Sequence, residues 1–299
     1  MTKSVLPLTK EAISLPEINT PIAAVSGAVE KYRNKHGIPC WVSRLLQLRS
    51  LWISVRFFTH FVIYTDGKAN KEDLFMASTM GIYENGAFII IASRPAVGET
   101  ALALDIARHL AESSDKTVLF ISLEASKEQT LARLETVGEK AYNNILIDDH
   151  PTRTVKDIEA LCRNTEKLGA VIIDYFQLLA GAAPANHGQD RQAEGFAIAK
   201  ELKEMALRLS VPVICTSHIS RVCEYRENKR PKLSDLRISG VLEKCADQVL
   251  FLYRDAYYDW KSPVGDMAEC IIAQNKFGDT GTVLLRWDPE RAYFSRWEE

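Results

Sequence analysis

A short stretch of the chain, SRPAVGET (residues 93–100), carries residue types that could bind phosphate. In the pattern G-x-x-x-x-G-K-[ST], backbone N–H groups and a helix N-terminus surround a polyphosphate, while the lysine and the hydroxyl serve the phosphates and Mg²⁺. Gly98 matches the second glycine and Thr100 the hydroxyl, but Ser93 stands at the first glycine and Glu99 at the lysine. The stretch predicts a nucleotide-binding turn without its usual cation, although a strand, a turn and a helix also form a common structural connection.

Two acidic residues end apolar segments further along the chain. Glu124 follows TVLFISL, and Asp174 ends AVIID. If both segments are strands of a parallel sheet, their carboxylates lie at the carboxyl edge, where ligands of open α/β folds bind and where a carboxylate can hold Mg²⁺. Either acid alone is more often a helix cap or a salt-bridge partner, but their joint position after a phosphate-loop-like turn favours a nucleotide site.

A sheet and helices must position these residues, and the hydrophobic pattern predicts both. Short β-rich apolar runs alternate with segments of helical period, which predicts a mostly parallel sheet covered by helices. The predicted strands are 87–93, 117–123, 144–147, 170–174, 211–217, 247–253, 268–274 and 282–287. The predicted helices are ETALALDIARHLAESS, SKEQTLARLETVG, TVKDIEALCRNTEKLG and QAEGFAIAKELKEMALRLS.

The first 80 residues follow a different pattern. We predict a partly helical N-terminal segment or linker over residues 1–80 and an α/β domain over residues 81–299. The chain starts without the continuous apolar core of a signal peptide, and its most apolar run, 51–64, is too short and too charged to span a bilayer. We therefore expect a cytoplasmic protein without membrane contact, whose six scattered cysteines are reduced thiols and not a metal site.

Cations are concentrated in one segment of a nearly neutral chain. The 299 residues include 37 Lys and Arg against 39 Asp and Glu, so no polyanionic partner follows from the overall charge. ISRVCEYRENKRPKLSDLRISG (residues 219–240, the basic segment) nevertheless holds six Lys and Arg. Such a cluster can bind the phosphates of a nucleic acid, or it can be a solvated loop.

Seven ordered blocks resemble the ATPase domain of DnaB-type replicative helicases, over about residues 81–299. The blocks are IIIASRPAVGETALALDIA, VLFISLEASKEQTLARL, ILIDDHPTRTVKDIEALCR, AVIIDYFQLLAG, LKEMALRLSVPVICTSHISR, RPKLSDLRISGVLEKCADQVLFLYRDAYY and IIAQNKFGDTGTVLLRWDP. The resemblance implies a RecA-like P-loop NTPase core, an α/β fold with a mostly parallel central sheet flanked by helices. The family's N-terminal helical domain is not recognisable in residues 1–80, which are too short and carry no matching pattern.

The resemblance also implies a role for individual residues. Thr100 and Asp174 correspond to the hydroxyl and carboxylate that organise Mg²⁺ beside ATP, and Glu124 to the residue that activates the attacking water. The nucleotide-binding positions are Ser93, Arg94, Gly98, Glu99 and Thr100. Within the DLRISG block, Arg237, Ile238 and the backbone around Gly240 occupy the DNA-binding loop, which would grip successive phosphates of single-stranded DNA.

The chain departs from the family pattern mainly at positions that serve ATP chemistry. Glu99 replaces the phosphate-binding lysine, and His218 replaces a glutamine that senses the γ-phosphate. Gln274 and Lys276 replace the Lys-x-Arg pair that reaches the neighbouring subunit's ATP site, so one cation remains without the bidentate geometry of arginine. In the DNA loop, Ile238 replaces a glutamate.

Two functions of different class follow from this mixture. One is an ATP-dependent helicase domain in a hexameric ring on single-stranded DNA, with hydrolysis impaired by Glu99. The other is a non-catalytic paralogue that caps or regulates the ring of an intact DnaB-type helicase. A RecA-like recombination mediator is a third hypothesis, against which the RPKLSDLRISG block argues. Primase or a helicase loader is a further expected partner.

Overall fold

The computed structural model describes residues 84–136, 143–179, 190–236 and 240–297. The predicted segment 1–80 lies outside this part of the chain. The strands are β1 (Phe88–Ser93), β2 (Thr117–Ser122), β3 (Ile145–Asp148), β4 (Leu168–Asp174), β5 (Val213–His218), β6 (Gln248–Arg254), β7 (Met267–Asn275), β8 (Gly281–Asp288) and β9 (Tyr293–Arg296). The helices are α1 (Glu99–Ser113), α2 (Lys127–Glu135), α3 (Val155–Asn164), α4 (Asp190–Leu209), α5 (Val241–Cys245) and α6 (Asp255–Tyr258).

All nine strands form one sheet in the order β3-β2-β4-β5-β1-β6-β7-β8-β9. The first six run parallel, and β7, β8 and β9 add an antiparallel meander after β6. This arrangement confirms the predicted α/β fold with a mostly parallel sheet. Because β1 lies between β5 and β6, the segments that follow these three strands meet at the same edge of the sheet.

The core has two layers because successive strand residues point to opposite faces of the sheet. One layer packs α1 on the sheet and includes Ile89, Ile106 and Phe294. The other packs α3 and α4 on the opposite face and includes Ile90 and Leu202. Every residue of β1 is buried, which fixes the position of the loop that follows it.

Capping residues set the starts of two helices. Ser126 before α2 and Thr154 before α3 each form a capping box with the residue three positions later. The helix α3 ends at Asn164, earlier than the predicted segment, and Lys167 has a positive φ of 52° just before β4 begins. Within the described ranges, none of the helices combines the length and the apolar character needed to cross a bilayer.

Candidate functional site

The phosphate loop, residues 94–98, connects the end of β1 to the start of α1. Gly98 has φ 119°, and a Cβ built on it would lie 2.9 Å from Cζ of Phe294 and 3.2 Å from the Trp287 ring. Only glycine fits this backbone conformation at such close contact. The structure therefore has the turn that the sequence predicts, packed against aromatic side chains of β8 and β9.

Glu99, at the lysine position, points into the protein and is only 6% exposed. Its Oε2 accepts a hydrogen bond from Ser93 Oγ at 2.5 Å, and its Oε1 lies 2.6 Å from His218 Nε2. Ser93 and His218 are neighbours in the pairing of β1 with β5. Three departures from the family pattern thus form one bonded group, which we call the Ser93–Glu99–His218 cluster.

Burial and neighbouring groups act in opposite directions on this carboxylate. Burial raises the pKa of Glu99 above its usual value of 4.5, and repulsion from Asp174 adds to the rise. Hydrogen bonds from His218 and Ser93 partly offset it by stabilising the charged form. Glu99 is therefore a buried carboxyl group whose charged form is stabilised by its two hydrogen-bonded partners, Ser93 and His218.

The rest of the protein holds His218 in this position. Its backbone N–H donates to Gln177 Oε1 at 3.3 Å, and Gln177 Nε2 in turn donates to Ser217 Oγ at 2.9 Å. The Tyr175 ring lies 4.3 Å from the imidazole, centroid to centroid. These contacts leave the imidazole directed at Glu99.

The predicted metal ligands lie together on the carboxyl edge. Thr100 Oγ1 donates to Asp174 Oδ2 at 2.9 Å, and Thr216 Oγ1 donates to Asp174 Oδ1 at 2.5 Å. Asp174 is 3% exposed. Hydroxyl and carboxylate oxygens are the ligands that Mg²⁺ prefers, so this group of oxygens fits a magnesium ion. Thr216 was not foreseen, because nothing in the sequence marks one threonine of a buried strand.

The phosphate-binding part of the site does not fit a polyphosphate in the same way. At the point where the family places a lysine, the chain presents a carboxylate bonded to Ser93 and His218. A negative charge there repels phosphate oxygens, and unit charges about 4 Å apart interact by about 4 kcal/mol at an effective dielectric constant near 20. The oxygens of the predicted metal ligands thus lie together, whereas the side chain at the predicted phosphate contact carries the opposite sign of charge from lysine.

Arg94 does not compensate for the missing lysine in this arrangement. Its Nε donates to Glu224 at 2.6 Å, and its NH1 donates to the backbone oxygen of Ile219 at 2.9 Å. The guanidinium is thus bonded to the basic segment. Another arginine, Arg254, contacts the loop from the other side by donating to the backbone oxygen of Val97 at 3.0 Å, a contact that sequence reasoning missed.

Glu124 and Lys276 lie at opposite edges of the sheet. Glu124 is exposed just after β2, at the same edge as Asp174. Lys276 lies at the opposite edge, where its Nζ is 3.4 Å from Oδ1 of Asp247, the residue before β6. Gln274 donates to the backbone oxygens of Glu243 and Ala246. The structure thus places Lys276 away from this chain's own phosphate loop, and the predicted contact with a neighbouring subunit stays a prediction.

Two arginines of the basic segment form ion pairs with acidic residues of the same chain. Arg226 makes two hydrogen bonds to buried Asp235, at 2.9 and 2.6 Å. Arg230 pairs with Glu269 at 2.5 Å and stacks on the Tyr253 ring. Arg226 thus bonds within the segment and Arg230 attaches it to β7, so the cation count of the segment overstates the charge available to a nucleic acid.

Of the predicted DNA-binding residues, Arg237 and Ile238 lie outside the described residues. Gly240 has φ 82° and precedes the short helix α5. The residues just before them are firmly held, since Ile219 and Leu236 form an antiparallel bridge and Ser220 N donates to Asp235 O at 2.7 Å.

Comparison with known families decides the relationship. The family described as DnaB-like helicase C terminal domain matches residues 74–141 and 132–296. The chain belongs to this family. A solved structure described as an ATPase domain superposes with a TM-score of 0.69 at 32% identity, covering 83% of this chain and 99% of that one. The RadB recombinase, at 16% identity and a TM-score of 0.51, shares the fold alone.

Curated members of the DnaB-like family are similar over most of the described part. The replicative DNA helicase DnaC of Bacillus subtilis is 38% identical over 237 residues, and the replicative DNA helicase DnaB of Geobacillus stearothermophilus is 37% identical over 237 residues. Each match covers 70% of this chain and 52% of the relative. The chain therefore spans about half the length of these relatives.

Proposed function

We propose that this chain is a DnaB-type domain that acts in DNA replication, binds single-stranded DNA as a ring subunit in the cytoplasm, and hydrolyses ATP poorly. Membership of the family and the names of the relatives support the replication role. The observation that carries the impaired hydrolysis is the Glu99–His218 contact, since it puts a bonded carboxylate where a lysine would bind phosphate. ATP and Mg²⁺ are the proposed cofactors, with Thr100 and Asp174 as the metal ligands.

The remaining roles in this proposal follow from position. Glu124 is the proposed activator of water, because it is exposed at the edge that carries Asp174. Arg237, Ile238 and Gly240 are the proposed contacts to single-stranded DNA. Primase is a proposed partner because a DnaB-like replicative helicase, 31% identical to this chain and solved to show its interactions with primase, superposes on 92% of it with a TM-score of 0.69.

A second candidate is a non-catalytic subunit that joins or caps the ring of an intact DnaB-type helicase. It is favoured by Gln274, whose amide is bonded to two backbone oxygens of its own chain, and by Lys276, which contacts Asp247. Neither residue offers the bidentate arginine contact of an active neighbouring subunit. If this candidate holds, the chain will co-purify with an intact homologue and alter the homologue's ATPase rate.

Steady-state ATP hydrolysis in the presence of single-stranded DNA tests the proposal. We expect Glu99→Lys to hydrolyse Mg-ATP at least about 100-fold faster than the natural chain, because it exchanges repulsion for attraction at the phosphates. Glu166→Lys makes the same charge change on an exposed turn and should leave the rate unchanged. A natural chain as fast as Glu99→Lys would show that another cation serves the phosphates.

A further inference from the structure

The residue that opposes a polyphosphate in this loop also provides His218 with a partner. The Glu99 carboxylate is an anionic acceptor 2.6 Å from His218 Nε2. The carboxylate is supplied by the first residue of α1, and the imidazole by the last residue of β5. The pair therefore joins the start of α1 to the strand that leads into the basic segment.

The residue after His218 is also hydrogen-bonded to the end of β1 and the residue that follows it. The next residue, Ile219, donates from its backbone N to Ser93 O at 2.9 Å and accepts from Arg94 NH1 at 2.9 Å. Both partners lie at the end of β1, next to Glu99. The end of β5 and the start of the basic segment are thus bonded to residues in or beside the phosphate loop by three contacts, which join His218 to Glu99, and Ile219 to Ser93 and Arg94.

The same bonds reach the residues that precede Arg237. Ile219 pairs with Leu236 in an antiparallel bridge, and Ser220 N donates to Asp235 O at 2.7 Å. Asp235 is 2% exposed and holds Arg226 through both of its oxygens. The residues that follow His218 are therefore connected by two backbone contacts to the boundary of the proposed DNA-binding residues.

We propose that the Glu99 carboxylate acts as a built-in substitute for the terminal phosphate of a nucleotide, so that residues 219–236 of the basic segment are held for single-stranded DNA whether or not ATP is present. A carboxylate and a phosphate oxygen are both anionic acceptors for the imidazole N–H. Supplied by the chain, the acceptor is always in place and needs no ligand to order the segment. The expected effect on DNA binding rests on the proposed function. The expected effect on the order of residues 219–236 does not.

The test compares the natural chain, Glu99→Lys and Glu166→Lys, each with and without Mg-ATP. One readout is the affinity for a fluorescent oligo(dT), and the other is amide hydrogen exchange over residues 219–236. The natural chain and Glu166→Lys should change less than about twofold on addition of Mg-ATP. Glu99→Lys should bind oligo(dT) roughly tenfold more weakly without nucleotide, the size of one charge-assisted hydrogen bond, and should exchange faster over 219–236. Mg-ATP should restore both readouts.

Two results would overturn the inference. The first is a natural chain in which Mg-ATP protects residues 219–236 or strengthens oligo(dT) binding. The second is a Glu99→Lys variant whose exchange over these residues equals that of the natural chain. A pair that only fills space predicts equal loosening of Glu99→Lys with and without Mg-ATP, which also contradicts the proposal.

Failure of the proposed DNA-binding function can be distinguished from failure of this inference. If no form binds oligo(dT), the proposed DNA-binding function fails, and hydrogen exchange still decides the inference. If Glu99→Lys does not melt cooperatively, Glu99→Gln replaces it, because it keeps the shape of the side chain and removes only the charge. We then expect faster exchange over 219–236 in Glu99→Gln than in the natural chain, and equal exchange rules the inference out.

Discussion

Single residues explain how the phosphate loop keeps its shape and changes its chemistry. Gly98 retains the left-handed conformation that brings the loop against Phe294 and Trp287, and Thr100 remains bonded to Asp174. Glu99 is turned inward to Ser93 and His218. The metal ligands and the backbone path are thus retained, while the contact that would bind phosphate is used inside the protein.

Replacing Gly98 tests how tightly this loop is packed. We expect Gly98→Ala to lower the free energy of unfolding by about 2–4 kcal/mol, because φ is 119° and the new methyl group would meet Phe294 at 2.9 Å. Urea denaturation measures the loss. Gly281→Ala is the matched control, since a Cβ there meets nothing within 4 Å and its φ is not positive. Equal losses in both variants would contradict the packing described for Gly98.

The sequence was sufficient to predict the loop from the strand and the helix on either side of it, whereas the joint role of Thr100 and Asp174 was implied by the resemblance to DnaB-type helicases. It identified Glu99 and His218 as departures, but only as separate losses. Their bond depends on the register of β1 with β5, which places Ser93 beside His218, and no local pattern encodes that register. For the same reason, Thr216 and Arg254 were not singled out.

At the scale of elements, the eight predicted strands are confirmed because most are continuous apolar runs with turn residues on both sides. The ninth strand, β9, was missed. It is four residues long and follows a charged turn, yet Phe294 within it is 1% exposed and packs on α1. The helices α5 and α6 are similarly short, and tertiary contacts define them more than helical period does.

The contact between α3 and α4 gives a prediction about pH. Arg208 on α4 bonds Glu159 on α3 at 3.1 and 2.6 Å, and Arg163 adds a bond at 2.6 Å. The bond from Arg208 is the main cause that lowers the pKa of Glu159 from 4.5 to about 2. A lowered folded-state pKa stabilises the fold above the unfolded value, and this stability is lost as pH falls from 4.5 through about 2.

We therefore expect Glu159→Gln to lower the free energy of unfolding at pH 7 by about 1 kcal/mol, a value reduced because both arginines are partly exposed. The difference from the natural chain should shrink as pH falls below 4.5. Denaturant unfolding at several pH values measures it, with Glu166→Gln as an exposed control on the turn after α3. A difference that stays constant down to pH 3 would show that the ion pair is not its cause.

At the scale of the whole molecule, the chain combines the fold of a DnaB-like ATPase domain with a phosphate loop closed by its own side chains. The central sheet brings the oxygens of Thr100, Asp174 and Thr216 together at its carboxyl edge. The residue type differs from the family pattern at the lysine position and at the position that faces it, and the two side chains found there, Glu99 and His218, lie 2.6 Å apart. Weak ATP binding is therefore expected from the pair and not from loss of the fold.

The most direct measurement is a calorimetric titration of Mg-ATP into four forms: the natural chain, Glu99→Lys, His218→Gln and the double variant. If the pair closes the site, the double variant binds Mg-ATP at least about 100-fold more tightly than the natural chain, and the two single changes are not additive. Non-additivity is expected because either single variant already removes the Glu99–His218 contact, so the second change has no such contact left to remove. A natural chain that binds Mg-ATP as tightly as the double variant would contradict the closure of the site by this pair.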